Sequence, residues 1–252
     1  MADSPVVLVT AGSAGLGAAA SRLFAKNGYR VVVNYHSDSA RADQLIAELN
    51  DTGNSNNDEK PHIIIKADLA SHEDVNRLVS ETHDAMGRID VIFSNGGWSR
   101  FRDVTRLDDN VFDEDWDRAY AMNVKSHLWL LHAAEKHLSE TEGAFITTAS
   151  IAGVKGTGSS LAYGVTKAAQ LHMIKALASM VGPKIRVNTV SPGLLETEWA
   201  KRFTDEQKTN HKQGTKLKRF VEVDDVAEQV LGLAKNNSMT GVNIIMDAGF
   251  TV

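Results

Sequence analysis

The chain has 252 residues, of which 42% are hydrophobic and 23% charged, a composition that excludes a disordered, collagen-like or coiled-coil protein. Its net charge of −5 lacks the basic excess of nucleic-acid-binding proteins, so we expect no nucleic-acid partner. The absence of cysteine excludes a disulfide scaffold, a thiolate zinc site and a cysteine nucleophile.

Short apolar runs alternate with helical stretches along the chain. The runs predict strands at 6–10, 30–34, 62–66, 91–94, 144–148, 185–190 and 242–246. They are continuous rather than alternating, which is typical of strands buried on both faces of a parallel sheet. Helices are predicted at 16–27, 40–49, 73–86, 114–138, 161–181 and 223–234. This alternation predicts an α/β fold with right-handed crossovers.

No linker divides the chain, so residues 1–252 are expected to form a single domain. The polar stretch 51–60 is predicted to be a solvated loop. Two other irregular stretches, at about 96–110 and 193–215, are predicted to be long loops that border a functional site.

A glycine-rich segment follows the first strand directly and reads Thr10-Ala11-Gly12-Ser13-Ala14-Gly15-Leu16-Gly17. Its glycines allow a tight turn and a close approach of backbone N–H groups to a pyrophosphate, which the N-terminus of the next helix also attracts. The spacing G-x-x-G-x-G differs from the standard dinucleotide fingerprint, so a plain strand–helix turn stays open as the alternative.

Two further segments lie where strands end. Asp68, between Ala67 and Leu69, follows the third strand, and its carboxylate is suited either to an adenine amino group or to capping a helix. The small residues of segment 94–97, Ser-Asn-Gly-Gly, close the fourth strand and let a cofactor lie against the backbone.

Tyr163 and Lys167 are four residues apart on the predicted helix 161–181, so they point the same way. A free tyrosine has a pKa of about 10, and a nearby ammonium lowers that pKa by stabilising the phenolate. The pair therefore suits proton transfer to a carbonyl oxygen or from an alcohol.

Two polar residues accompany this pair. Ser150 stands at the end of the fifth strand, where open α/β sheets bind ligands. Asn123 lies inside an apolar helix, where its amide needs a partner. Taken singly, Ser150 also suits a turn, and Asn123 also suits a hydrogen-bonded core position.

Taken together, these motifs resemble the short-chain dehydrogenase/reductase family from Val6 to about Gly249. The glycine segment is similar to the family's T-G-x-x-x-G-x-G, segment 94–97 to its N-N-A-G, and segment 191–193 to the P-G after its sixth strand. Asn123, Ser150, Tyr163 and Lys167 fall where the family's catalytic tetrad lies. The resemblance implies a Rossmann-type fold, a doubly wound seven-stranded parallel sheet flanked by helices.

The resemblance also implies a reaction, the reversible transfer of hydride between a nicotinamide cofactor and a carbonyl/alcohol substrate. Tyr163 would be the general acid in reduction, and Lys167 would lower its pKa and bind the nicotinamide ribose. Ser150 would hydrogen-bond the substrate carbonyl, Asn123 would hold a water in a proton relay to Lys167, and Thr197 would hold the nicotinamide carboxamide. The residues expected to contact the cofactor are Thr10, Gly12, Ser13, Gly15, Leu16, Gly17, Asn34, Tyr35, His36, Ser37, Asp68, Leu69, Asn95, Gly96, Gly97, Tyr163, Lys167, Pro192, Gly193 and Thr197.

Three departures from the family pattern bear on these expectations. Ala11 replaces the first loop glycine, and Gly12 is expected to provide the turn instead. Ser94 and Gly96 replace the usual Asn and Ala, which removes no group that hydride transfer needs.

The third departure concerns the choice of cofactor. The second strand ends in Asn34, Tyr35, His36 and Ser37, without the acid that binds the ribose diol of NAD. This leaves room for a 2′-phosphate contacted by Ser37, His36 or Arg41, so we expect NADP(H) to be favoured over NAD(H). Two observations point the other way: Ala14 stands where many NADP-dependent relatives have an arginine, and Asp38 is an alternative diol ligand.

The substrate is expected to be a small carbonyl/alcohol compound. The spacing of Tyr163 and Lys167 differs from the wider spacing in the family's enoyl reductases, which favours a ketone reductase. Aromatic residues on the predicted loops indicate either an apolar or aromatic substrate or packing of a lid; they are Trp98, Phe101, Trp199 and Phe203. Arginines and aspartates are mixed at 100–109, which favours a solvated charged loop over an anion site.

Four expectations concern the surroundings of the protein. Its nine histidines show no metal-ligand spacing, so no metal is expected, and no apolar run reaches the roughly 18 residues of a membrane span. The N-terminus does not resemble a signal peptide, and we expect a cytoplasmic protein. The resemblance implies a homotetramer or homodimer formed through helices 114–138 and 161–181. The alternative function is a non-catalytic or repurposed dinucleotide-binding scaffold on the same fold.

Overall fold

The computed structural model describes residues 4–52 and 62–252. Its strands are β1 Val6–Val9, β2 Arg30–Tyr35, β3 Ile63–Lys66, β4 Val91–Ser94, β5 Ala144–Thr148, β6 Arg186–Pro192 and β7 Asn243–Met246. Its helices are α1 Gly15–Lys26, α2 Ser39–Thr52, α3 His72–Met86, α4 Asp113–Tyr120, α5 Ser126–Thr141, α6 Leu161–Val181, α7 Asp205–Gly214 and α8 Val223–Lys235.

In the described ranges, the strands form one seven-stranded sheet in the order β3-β2-β1-β4-β5-β6-β7, and every neighbouring pair is parallel. This confirms the predicted fold class. The strand order reverses between β1 and β4, and open sheets of this kind bind ligands in the crevice beyond the carboxyl ends of the strands at that point.

Helices cover the sheet on both faces. Successive side chains of a strand point to opposite sides, so each strand contributes to two cores. Val6 and Leu8 of β1 pack with residues of α3, α5 and α6, whereas Val7 and Val9 pack with residues of α1, α2 and α8. Both cores consist of fully buried aliphatic and phenylalanine side chains, which explains why the strands read as continuous apolar runs.

The predicted helix 114–138 is not one continuous α-helix. Its α4 and α5 portions are joined by a π-helical segment, Ala121–Lys125, that contains Asn123. A π-turn inserts one residue into the helix and is frequent at functional sites.

The predicted loops also contain structure that the sequence reasoning missed. Segment 193–215 holds a 3₁₀ turn, Glu198–Arg202, and α7, which has no buried residue and therefore no apolar periodicity. The capping box formed by Thr204 and Gln207 at its start was the available signal. Of the predicted loop 51–60, residues 51 and 52 end α2, and residues 53–60 lie outside the described ranges.

Across residues 4–52 and 62–252, no helix combines the length and the apolar character that crossing a bilayer requires.

Candidate active site

The segment after β1 turns at Ala11, which adopts a left-handed backbone with φ +47°. The expectation that Gly12 provides this turn was wrong, because Gly12 is absent from the positive-φ residues of the chain. Gly12 is needed for another reason: a Cβ there would lie 2.8 Å from the Val9 carbonyl oxygen. An alanine in the left-handed region costs about 1–2 kcal/mol, so the surrounding contacts must hold Ala11 in place.

Two buried polar side chains, those of Asn34 and Thr10, support this turn by hydrogen bonds. Asn34 accepts a hydrogen bond from the Ala11 N–H at 3.1 Å. The Thr10 hydroxyl oxygen accepts from the N–H groups of Asn95 and Gly96 at 2.9 and 3.1 Å. These bonds join the segments that follow β1 and β4 to each other and to the end of β2. We call residues 10–17 and 94–97 the glycine edge.

Two glycines of the glycine edge permit close packing. A Cβ at Gly17 would lie 2.3 Å from the Ala11 carbonyl oxygen, and a Cβ at Gly96 would lie 2.2 Å from Leu69 Cδ1. The helix α1 begins nearby at Gly15, and its N-cap residue, Ala14, makes no side-chain capping bond. The first N–H groups of α1 are therefore available to an anion, and the edge fits a pyrophosphate.

The predicted proton-transfer residues lie beside the glycine edge, at the carboxyl ends of β4 and β5. Tyr163 and Lys167 both lie on α6, with the Lys167 Nζ 5.8 Å from the centre of the Tyr163 ring. Ser150 caps a short 3₁₀ turn by accepting from the Ala152 N–H at 3.1 Å. Burial raises the pKa of the Tyr163 phenol, and a hydrogen bond with Ser150 opposes that rise.

Lys167 is 3% exposed, and burial lowers the pKa of its ammonium to about 7. Its Nζ donates to the Thr148 carbonyl oxygen at 2.7 Å and to the Gln170 amide oxygen at 3.0 Å. The lysine is therefore held in place and sits near the midpoint of its titration at neutral pH.

Asn123 is fully buried in the π-helical segment and binds a neighbouring backbone. Its amide oxygen accepts from the Trp98 N–H at 2.7 Å, and its amide nitrogen donates to the Trp98 carbonyl oxygen at 2.9 Å and to Thr166 at 3.0 Å. Asn123 thus links the segment after β4, through Trp98, to α6, through Thr166, the residue before Lys167.

A cavity of about 690 Å³ opens where these elements meet. Ten of the predicted site residues line it: Gly15, Leu16, Asn95, Gly97, Ser150, Tyr163, Lys167, Pro192, Gly193 and Thr197. The cavity therefore joins the glycine edge to the proton-transfer residues.

The other predicted site residues do not line this cavity. Four of them are buried within the glycine edge (Thr10, Gly12, Gly17 and Gly96), and two are buried beneath it (Asn34 and Leu69). Ser13 is half-buried in the edge, and Asn123 lies behind Lys167. The remaining four, Tyr35, His36, Ser37 and Asp68, lie at or just beyond the ends of β2 and β3.

At the end of β2, His36 and Ser37 are exposed, as are Asp38 and Arg41. Asp38 pairs with Arg41 at 3.2 Å, and His36 lies 3.7 Å from Asp68. The Asp68 carboxylate accepts from the Ala70 N–H at 2.9 Å, which closes a turn before α3. The capping alternative that the sequence left open was wrong, because the N-cap of α3 is Ser71.

The far side of the cavity is lined by four rings, Trp199, Phe203, His211 and Phe250, which we call the aromatic wall. His211 of α7 stacks on Phe250 with ring centroids 4.4 Å apart. Sequence reasoning found Trp199 and Phe203 but missed His211 and Phe250, which no local motif marks. The sequence also singled out Phe101 and Trp98, which do not line the cavity. Phe101 packs edge-on against Phe203, and the Trp98 ring lies within 6 Å of the guanidinium groups of Arg100 and Arg118.

The arginines of the 100–109 stretch are mostly paired with α4. Arg100 binds Glu114 at 2.8 Å, and Arg102 binds Asp115 at 2.8 Å and Asp109 at 3.4 Å. Neither arginine lines the cavity. The charges of Arg100 and Arg102 are thus neutralised locally, mainly by acids of α4 and less by those of the stretch itself.

One group of potential metal ligands occurs among the described residues, far along α3 and α5: His83, His137 and Glu140 bring ligand atoms within 4.8 Å of one another. The two imidazoles stack face to face, with centroids 3.9 Å apart and planes 23° apart. The in-plane lone pairs of two stacked rings do not converge on one ion, and this group does not touch the cavity.

Comparison with known proteins gives consistent similarities over almost the whole chain. A family model described as Enoyl-(Acyl carrier protein) reductase matches residues 10–251. A protein of Streptomyces violaceoruber, named as ketoacyl reductase 2 of the granaticin polyketide synthase, is 34% identical over 251 residues, or 98% of this chain and 96% of the relative. Secoisolariciresinol dehydrogenase of Forsythia intermedia is 31% identical over 261 residues, or 99% of this chain and 90% of the relative.

Among solved structures, a short-chain dehydrogenase of Burkholderia cenocepacia in complex with NADP superposes with a TM-score of 0.88. It is 28% identical in sequence, and the match covers 99% of each chain. The range matched by the family model contains every residue of the cavity lining described above.

Proposed function

Since this chain belongs to the short-chain dehydrogenase/reductase family of oxidoreductases, we propose that it reduces a ketone to an alcohol, reversibly, with NADP(H). The observation that carries the proposal is the single cavity lined by Tyr163, Lys167 and Ser150 on one side and by the glycine edge on the other. A cofactor lying along the edge would reach a carbonyl held by the first three residues. The sequence-predicted domain, residues 1–252, is proposed as one catalytic domain.

In this mechanism, the nicotinamide supplies the hydride when it is bound. Tyr163 donates its phenolic proton to the substrate oxygen as that oxygen gains charge, and Ser150 donates a second hydrogen bond to the same oxygen. The Lys167 ammonium then stabilises the phenolate left on Tyr163, offsetting the burial that raises the pKa of the phenol. In alcohol oxidation, the same groups move the proton in the opposite direction.

Cofactor contacts are proposed at the glycine edge and at the end of β2. The backbone N–H groups at the start of α1 would bind the pyrophosphate. His36, Ser37 and Arg41 are exposed and offer donors for a 2′-phosphate. Asp38, the alternative ligand for a ribose diol, is paired with Arg41 at 3.2 Å. These features support NADP(H) over NAD(H).

The aromatic wall supports an apolar or aromatic ketone as the substrate. Trp199 lies 6.2 Å from the Tyr163 ring, close to where a carbonyl would bind, and no arginine lines the cavity. The lysine among its lining residues is Lys167, already assigned to proton transfer. A neutral ketone therefore fits better than a small anionic one.

An oligomer and a cytoplasmic location are proposed as well. Exposed apolar side chains occur on the helices expected to form the interface: Tyr120 and Leu128 on α4 and α5, and Leu161 and Val165 on α6. Burying such a patch against a second copy is favourable, which supports the homodimer or homotetramer. Ala162 and Ala178 of α6 are already buried within one chain, so these alanines serve packing in the monomer as well.

The test is a fluorescence titration with NADPH and with NADH side by side, followed by turnover with aryl ketones, a β-keto thioester and an enoyl thioester. We expect tighter binding of NADPH and turnover of the aryl ketones. Tighter binding of NADH would contradict the preference for NADP(H) and would indicate that Asp38 binds the ribose diol. Turnover of the enoyl thioester alone would contradict the proposed reduction of a carbonyl group. Binding of either cofactor without any turnover would favour a dinucleotide-binding scaffold.

A further inference from the structure

Gln170 lies one helical turn after Lys167 on α6 and is fully buried. A buried amide requires hydrogen-bond partners, and Gln170 has two. Its nitrogen donates to the Thr148 carbonyl oxygen at 3.2 Å, and its oxygen accepts from the Lys167 Nζ at 3.0 Å. Both partners belong to the region where the proton transfer is proposed.

The bonds of Lys167 account for two of its three N–H groups. One is donated to the Thr148 carbonyl oxygen at 2.7 Å and one to Gln170. Gly97, which lines the cavity, lies beside the Nζ: a Cβ on it would be 3.6 Å from that atom. Lys167 also lines the cavity, so its third N–H is the one left for a group bound there.

We propose that Gln170 is a positioning residue of this site, whose amide oxygen keeps the Lys167 ammonium charged and turns its remaining N–H toward the cavity. The inference rests on the proposed function, because it gives Lys167 a task that requires a positive charge. Gln170 itself does not line the cavity, so it acts on the reaction through Lys167.

The surroundings of Lys167 make this acceptor important. Its own helix contributes the Tyr163 phenol, and α5 contributes His127, whose pKa is held well below its usual value by burial and by the Lys167 charge. His127 is therefore neutral at physiological pH. Strand β5 and the segment 95–98 contribute no titratable side chain. No carboxylate among the described residues forms an ion pair with Lys167, so its ammonium is stabilised by two neutral acceptors, the Thr148 carbonyl and the Gln170 amide. If the Gln170 acceptor is removed, no charged group takes over its role.

Gln170→Met tests the proposal because methionine keeps the length and most of the volume of glutamine but accepts no comparable hydrogen bond. The direct readout is the titration of Lys167, followed by NMR of its ¹³Cε resonance and assigned with Lys167→Arg. We expect the midpoint to fall by about one pH unit, since one hydrogen bond to a charged group is lost. Gln170→Glu should raise the midpoint, because it places an opposite charge on the ammonium.

The pH dependence of turnover provides the second readout. If the wild-type pKa near 7 falls by one unit, the protonated fraction of Lys167 falls roughly eightfold at pH 7.5 and by less than a tenth at pH 5. Turnover should follow this fraction, so that Gln170→Met is impaired at the higher pH and nearly normal at the lower. Gln44→Met, on the exposed face of α2, is the matched control and should leave both readouts unchanged.

The outcomes separate this inference from the proposed function. An unchanged Lys167 midpoint in folded Gln170→Met overturns the positioning role and leaves Gln170 with packing alone. If that variant does not fold, an unchanged midpoint in Gln170→Glu overturns it equally. The NMR titration needs neither cofactor nor substrate, so a shifted midpoint supports the inference even if no ketone is reduced, in which case the proposed function fails by itself.

Discussion

The glycine edge and the aromatic wall face each other across one cavity but are built differently. At the glycine edge, the buried side chains of Thr10 and Asn34 bind backbone N–H groups from neighbouring segments. At the aromatic wall, rings from distant segments stack, and α7, which carries His211, has no buried residue. One surface is held by buried hydrogen bonds, and the other by contacts between partly exposed side chains.

This difference predicts that the two surfaces differ in rigidity and in their tolerance of substitutions. Breaking a buried hydrogen bond leaves a polar group without a partner, so the glycine edge should resist both motion and substitution. Segments with few buried contacts open at low free energy, so the aromatic wall should move and tolerate change. We therefore expect changes at the edge to affect folding and cofactor binding, and changes at the wall to affect substrate binding.

The largest effect is expected where the two surfaces meet, at Tyr163. Tyr163→Phe removes the proton donor and keeps the ring, so turnover should fall by roughly 10²–10⁴-fold. NADPH affinity and the melting temperature should stay near wild type, because both surfaces remain intact. Steady-state kinetics with the best ketone and a parallel fluorescence titration provide the check. Activity within a few-fold of wild type would remove Tyr163 from the proton-donor role.

The next effect tests the rigidity of the glycine edge. Gly17→Ala places a Cβ 2.3 Å from the Ala11 carbonyl oxygen, which cannot move without disturbing the turn. We expect a loss of up to about 3 kcal/mol in the free energy of unfolding and weaker NADPH binding. Gly156→Ala is the control, since its Cβ would have no neighbour within 4 Å. Equal midpoints of urea unfolding for the two variants would show that the glycine edge accommodates the added Cβ, and would contradict its inferred rigidity.

A smaller and more selective effect is expected at the aromatic wall. Phe250→Ala removes a ring that lines the cavity and stacks on His211, so KM for an aryl ketone should rise about tenfold. The NADPH affinity should not change, which is the contrast with Gly17→Ala. Met180→Ala, which truncates a side chain 75% exposed at the end of α6, is the control for a general loss of apolar surface. A change in NADPH affinity as large as that in KM would mean that the two surfaces are not separable.

The smallest effect concerns the strained alanine. Ala11→Gly relieves the left-handed φ of +47° but gives the unfolded chain more freedom, so the net gain in stability should be below about 1 kcal/mol. Thermal unfolding measures it. A loss of stability would show that the alanine methyl makes a contact worth more than the strain.

Much of the fold could be predicted because it depends on local patterns. Continuous apolar runs placed each of the seven described strands to within two residues at either end. The start of α3 is also set by a local contact, because the hydroxyl of its N-cap residue, Ser71, accepts from the Asp74 N–H at 3.2 Å. By contrast, α7 escaped prediction because a helix without a buried face has no apolar period to detect.

The candidate site was predictable only in part for a related reason. Tyr163 and Lys167 share a helix, so their spacing alone brings them together. His211 and Phe250 are 39 positions apart and meet only through the path of the folded chain. The turn was expected at Gly12 because intrinsic preference favours glycine at a positive φ. It lies instead at Ala11, whose N–H donates a hydrogen bond to the Asn34 side chain.

Transfer of an isotope from the cofactor to the product is the decisive test of the proposed hydride transfer. Wild-type protein would be incubated with an aryl ketone and NADPH that carries deuterium on the transferred face of the nicotinamide C4, and the product analysed by mass spectrometry. We predict an alcohol with one deuterium on the carbinol carbon and an ordinary proton on the oxygen, the latter supplied through Tyr163. An alcohol without deuterium, or no alcohol while the protein binds NADPH, would contradict the claim.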